Sequence, residues 1–171
     1  MKLTNTHKAL DKFAKVVTTK AKKYIHDRKI SSGGQLRRSI DYKVDKNKAE
    51  VAFLMEKYGV LRDSGQLGSK RKILKGWNKS IFIPRGKGFT SKAPPSDVIK
   101  KWIRTKPVRW NIPLNSMAFL IARKIRTEGI QPGLFFSDAF NEEIKKAETQ
   151  IVEAFGLDID NIIDNGNNSS T

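Results

Sequence analysis

Four carboxylates, Asp41, Asp45, Glu50 and Glu56, crowd one short stretch of the chain with lysines between them. Two or three clustered acids are what a metal-dependent nuclease needs to hold magnesium over a phosphodiester. Alternating acids and lysines on the outer side of a solvent-facing hairpin produce the same pattern with no catalytic purpose, and that is the reading preferred here. The two histidines, His7 and His26, stand nineteen positions apart on one predicted helix. A straight helix separates them by roughly 28 Å, so they cannot share a metal ion. The chain contains no cysteine, which removes thiolate zinc sites, disulfides and a thiol nucleophile. Arg85-Gly86-Lys87-Gly88 lacks the glycine and Lys-Ser/Thr spacing of a phosphate-binding loop, and no helix follows it directly. The residues therefore predict no catalytic group, cofactor site or metal site, and a protein that is not an enzyme.

What the side chains do offer is charge and aromatic surface. Lys70, Arg71, Lys72, Lys75, Lys79, Arg85 and Lys87 are interleaved with Trp77 and Phe89. Single-stranded nucleic-acid binders use such a mixture to neutralise phosphates and stack bases; a docking arm for an acidic protein surface, or a solvated loop, has the same composition. The 171-residue chain carries a net charge of +17, unevenly spread: residues 1–110 hold 29 Lys and Arg against 8 Asp and Glu, and residues 111–171 hold 5 against 9. A field of this kind attracts polyanions and acidic protein faces alike and says nothing about fold.

A second aromatic feature is the pair Phe135–Phe136 after a Gly129–Gly133 break. On an extended backbone adjacent side chains leave on opposite sides, so one ring enters the core and the other faces out toward a partner. The competing reading buries both rings in the same chain.

The elements that would position these groups follow from periodicity. Leu10, Phe13, Val16, Val17, Ala21, Tyr24 and Ile25 repeat with helical period, predicting a long amphipathic helix from Leu3 to about Arg28. Ser31–Gly34 breaks it. The segments LRRSIDYKV and AEVAFLM, joined by DKNK, alternate as two strands of a hairpin. Residues 56–80 mix a short helical turn with glycines and basic residues and read as an irregular extended loop. Ser80–Pro84 reads as a short third strand closed by its proline. Pro94-Pro95-Ser96-Asp97 opens a helix with Ser96 or Asp97 as its cap. Met117, Leu120, Ile121 and Ile125 mark an amphipathic helix over Leu114–Glu128, ended by Gly129. A last helix opens at Asp138, buries Ala139, Phe140, Ile144, Ala147, Ile151, Val152 and Phe155, and closes at Gly156. The expected architecture is α+β, with a long first helix, a small antiparallel sheet containing a hairpin, and three further helices packed against it. One domain spans 1–156, with a long basic loop at about 68–92, and 157–171 is a polar C-terminal tail whose ending NGNNSST is expected to be mobile. No stretch approaches the ~18 apolar residues of a membrane span, and the N-terminus lacks the apolar run of a secretion signal, so a soluble chain is expected.

Three blocks occur in a telling order: SGGQLRRSIDYKV with AEVAF, then EKYGVLRDSG, then DVIKKWIRT leading to MAFLIARKIRTEGIQPGLFFSDAF. In order and spacing they resemble the small neck and tail-completion proteins of tailed double-stranded-DNA bacteriophages, a group that includes tail terminators. The resemblance covers roughly residues 1–156 and rests on Gly34, Leu36, Ser39 and Ile40, on Tyr58, Gly59, Asp63 and Gly65, and on Gly129, Pro132, Phe135 and Phe136. The chain departs from the pattern in its long basic 68–92 loop and in its extra polar end. The resemblance implies a structural virion subunit, made in the host cytoplasm, repeated as a homo-oligomeric ring that finishes the tail or joins it to the head. Its implied partners are copies of itself, neighbouring neck, connector and tail-tube proteins, and packaged DNA bound non-specifically, with no membrane. Phe135, Phe136, Trp77 and Phe89 are the candidate protein contacts, and the seven basic residues of the loop the candidate contacts to a polyanion or an acidic partner. A stand-alone DNA-binding protein is the alternative.

Overall fold

The structure, a computed structural model, describes residues 3–30, 34–70, 79–82, 93–105 and 111–168, with backbone alone for 166–168. The fold is mixed α+β. In chain order it consists of helix α1 (Thr4–Asp27), helix α2 (Gln35–Ser39), strands β1 (Asp41–Asp45) and β2 (Glu50–Leu54), helix α3 (Lys57–Ser64), strand β3 (Gln66–Leu67), helices α4 (Ser96–Arg104) and α5 (Leu114–Glu128), strand β4 (Gly129–Ile130) and helix α6 (Phe135–Asn168). These elements fall into two compact units, one of Met1–Asp27, Gln35–Glu56 and Phe135–Thr171, the other of Arg28–Gly34 and Lys57–Leu134. No helix among the described residues is long and apolar enough to cross a membrane.

In the first unit α1 and α6 run alongside each other and the β1–β2 hairpin covers α1. The apolar period read in α1 is the one it buries: Phe13, Ala14, Val17, Ala21 and Ile25 are all inside. In the hairpin, Tyr42 faces Phe53 and Val44 faces Val51 in antiparallel register. Those four are the half-buried positions, while Asp41, Lys43, Asp45, Glu50, Ala52 and Leu54 are exposed, the alternation of a one-sided sheet. Its turn is held by Asp45, whose Oδ1 accepts the Asn47 N–H at 2.8 Å. The core is an aromatic cluster of Phe13, Phe53, Phe136 and Phe140, with ring centroids 5.1 to 6.4 Å apart and mostly edge-to-face, the geometry that aromatic quadrupoles favour.

In the second unit α4 and α5 close over Ile99, Ile103, Met117, Ala118 and Ala122, with Leu114, Ile121 and Ile125 against them. The segments 62–70 and 126–134 lie side by side. Gln66 pairs with Ile130 and Leu67 with Gly129. Backbone bonds extend that contact in both directions: Ser69 N to Arg126 O at 2.7 Å, Gly133 N to Arg62 O at 2.9 Å, Leu134 N to Asp63 O at 3.0 Å. Two glycines permit this approach. A Cβ on Gly65 would meet Ile130 O at 2.6 Å, and one on Gly129 would meet Gln66 O at 2.1 Å; both residues also have positive φ, 73° and 88°.

Several expectations need correction. The first part of LRRSIDYKV, expected as strand, is the short helix α2, and β1 begins only at Asp41; the stretch 57–64 is helix α3, where an irregular loop was expected. Ser80–Phe82 forms no strand; the Ser80 hydroxyl accepts the Phe82 N–H and donates to Asp63 Oδ2, a local turn that competes with strand pairing. The N-cap of α4 is Pro95, with no side-chain cap from Ser96 or Asp97. Helix α6 starts at Phe135, three residues early, and runs through Gly156 to Asn168, so part of the expected polar tail is helical. One glycine costs a helix only about 1 kcal/mol, and Asp158, two residues beyond, is anchored on α1.

Candidate interaction surfaces

That anchor is a cap supplied from a distance. The first N–H groups of a helix have no partner inside it, and α1 opens without an acid in its first turn. Asp158, on α6 and only 2% exposed, fills the role. Its Oδ1 accepts Asn5 N and Nδ2 at 3.0 Å, and its Oδ2 accepts Thr6 N and Oγ1 at 2.8 Å. Burial pushes the Asp158 carboxyl up, but the Thr6 and Asn5 hydrogen bonds outweigh it and hold the pKa below the usual aspartate value. At the other end, Lys20 bridges Glu142 at 3.1 Å and Glu143, and the Tyr24 hydroxyl donates to Glu142. The Lys20 ammonium rises through Glu143 and then Glu142. Glu142 falls through Tyr24 and then Lys20. The Lys20–Glu142 pair is solvated on one side and orients the helices more than it stabilises them.

The sequence-predicted contacts are redistributed. Phe135 and Phe136 are both buried, at 0% and 1% exposure, which corrects the expectation that one ring faces a partner. The two sit in the first turn of a helix, where neighbouring side chains diverge by about 100° instead of the 180° of a strand, so both reach the core. Lys70 and Lys79 are exposed. Arg71, Lys72, Lys75, Trp77, Arg85, Lys87 and Phe89 lie outside the described residues. The hairpin acids do not converge: Asp45 faces Glu50 at the turn, while Asp41 faces Leu54 at the far end. Asp41 and Asp45 each accept a nearby backbone N–H. Among the described residues no group of three or more His, Asp or Glu could hold a metal ion.

Most of the residues singled out in the three sequence blocks are structural. Leu36 and Ile40 are buried. The Ser39 hydroxyl donates to Leu36 O and accepts Glu56 N. Asp63 is fully buried and accepts from Ser80. Gly65 and Gly129 sit where the two backbones touch.

The sequence reading missed the surfaces the fold leaves uncovered. On the distal half of α6, Val152 is 66% exposed and Phe155 45%, with Leu157, Ile162 and Ile163 also exposed. The same half carries Glu148, Glu153, Asp158, Asp160 and Asp164, and no Lys or Arg follows Lys146. In the second unit Val98 and Trp102 on α4, Ile112, and Phe119 and Leu120 on α5 are exposed. A signal for the first patch existed: beyond Ile151 the apolar residues at 152, 155, 159 and 162 leave the register of Ala147, Ile151 and Asp158 that faces α1. A third feature is a groove of about 810 Å³ between α1 and the hairpin turn, lined by Leu3, His7, Lys8, Lys12, Val44 and Lys46 among others. Its wall is tied by the Tyr42 hydroxyl, which donates to Asp11 at 3.1 Å; burial, then the Asp11 bond, raise the Tyr42 pKa.

Compared with protein-family models, with curated proteins and with solved structures, the chain matches none.

Proposed function

We propose that this chain is a non-enzymatic structural subunit of a tailed double-stranded-DNA bacteriophage. In this reading it is a neck or tail-completion protein of the tail-terminator kind, repeated as a homo-oligomeric ring that joins tail to head. Its partners are its own copies and the neck, connector and tail-tube proteins above and below, and its place is the virion. The observation that supports the reading best is the apolar surface left open on each unit. Contiguous exposed apolar side chains mark protein–protein contact, and a ring subunit needs at least two different faces for its neighbours. The order of the three sequence blocks adds the family. The positive field of the first 110 residues suits packaged DNA or the acidic rims of adjacent rings, by non-specific attraction.

The test is the composition and density of purified particles. Mass spectrometry should find the chain at a fixed ratio to the other virion proteins, and a cryo-electron reconstruction should show it as a ring at the head–tail junction. A protein recovered only free in infected cells and missing from mature particles would end the proposal. The stand-alone DNA-binding alternative predicts that the purified chain holds short duplex DNA with a steep salt dependence and without a virion partner.

A further inference from the structure

The distal α6 stripe and the α1–hairpin groove belong to the same unit, and they differ in charge: the first carries acids and no base, the second four lysines against the single acid Asp11. Val152, Phe155, Ile159 and Ile162 follow each other at spacings of three, four and three, the seam of a helix that packs into a partner's surface. Val152 and Phe155 are well exposed. Gly156 lies beside this seam with open space where its Cβ would be, so no contact among the described residues accounts for a residue that weakens the helix. The seam does not favour a copy of itself: the segment carries five acids and no base, so two such helices repel each other through their net charge.

The groove has the opposite character. Lys8, Lys12 and Lys15 lie on one face of α1 at spacings of four and three, Lys46 stands across from them at the hairpin turn, and Leu3 and Val44 supply an apolar floor. These lysines are exposed, and none makes a salt bridge among the described residues. His7 Nε2 is buried there without a hydrogen-bond partner. The dimensions agree: Val152 to Ile163 spans roughly 16 Å and the α1 wall from Leu3 to Lys15 roughly 18 Å at 1.5 Å per helical residue. The α6 helix of the same chain is not available to the groove, because Asp158 fixes it against Asn5 and Thr6.

We infer that the acidic, apolar distal half of α6 in one copy docks into the lysine-lined groove between α1 and the hairpin of the next copy. The contact is heterologous, one face of each chain meeting a different face of its neighbour, the kind that closes into a ring when its rotation closes. The inference rests on the ring reading for its biological use, yet it concerns a contact between purified chains.

The absence of native cysteine makes cross-linking clean. Full-length Ile159→Cys and Lys12→Cys, each soluble and helical by circular dichroism, are mixed and oxidised. The expected result is a disulfide between the two variants, with yield falling as salt rises. Adding Phe155→Asp to the Ile159→Cys chain should weaken association about tenfold or more, as for loss of an interface anchor. Because Phe155 is exposed, circular dichroism should stay unchanged. A disulfide formed by Ile159→Cys with itself in preference to the mixed one would overturn the inference, since the seam would then be self-complementary. So would the absence of any mixed cross-link at the highest concentration the protein tolerates. Failure here with the chain present in particles leaves the virion reading intact; success here with the chain absent from particles removes the virion reading and keeps the contact.

Discussion

At Phe136 the ring is enclosed by Phe53 and Phe140, so its truncation should act on folding and not on assembly. Phe136→Ala is expected to cost about 3–5 kcal/mol of unfolding free energy, measured by urea titration. An unchanged midpoint would contradict its place in the core. Asp158 acts through charge. Its folded-state pKa lies below the ordinary 3.8, so its contribution is complete above the unfolded value and is lost as pH falls through the folded one. Asp158→Asn should therefore melt below wild type at neutral pH, and the gap should narrow as both are acidified below about pH 4. A gap that stays constant across that range would show that the carboxylate's charge plays no part in capping α1.

At the scale of elements, two glycines make opposite predictions for the same substitution. Gly129 combines φ of 88° with a backbone oxygen 2.1 Å from where a Cβ would stand. Gly129→Ala must therefore push β4 away from β3, at a cost of about 3 kcal/mol or more. Gly156 sits in the middle of α6 with nothing within reach, and Gly156→Ala should raise stability by about 0.5–1 kcal/mol. Thermal and urea unfolding of the two variants checks both signs. If Gly156→Ala also weakens the mixed cross-link, the missing Cβ is a feature of the contact between copies. The element register was largely legible: α1, the hairpin and Leu114–Glu128 follow directly from apolar period and turn residues. What escaped were α2, where a strand was expected, α3, the start of α6 and its length. The length of α6 goes with a non-local bond, Asp158 to Asn5 and Thr6, between residues far apart in the chain.

For the whole molecule, the proposed contact between copies makes charge matter more for association than for stability. Lys8→Glu with Lys12→Glu alters two exposed side chains, so unfolding free energy should move by no more than about 0.5 kcal/mol. Association between copies should fall strongly, because the groove would then repel the acids of α6. Sedimentation analysis beside a melting curve separates the two effects. An equal loss of both would mean that the lysines support the fold itself.

Composition and local pattern by themselves determined the mixed class, the long first helix, the presence of a hairpin around DKNK and the split between a basic body and an acidic end. Those properties depend on each residue's own chemistry and on neighbours three or four positions away. Which apolar residues stay uncovered was decided only when α6 was laid against α1. Val152 and Phe155 are apolar like Phe136, and although their spacing leaves the register of Ala147 and Ile151, spacing alone does not show which of the two stripes a distant segment will cover. Burial depends on what a distant segment brings to that face, and the fold brings Phe53 to Phe136 while leaving Val152 and Phe155 exposed.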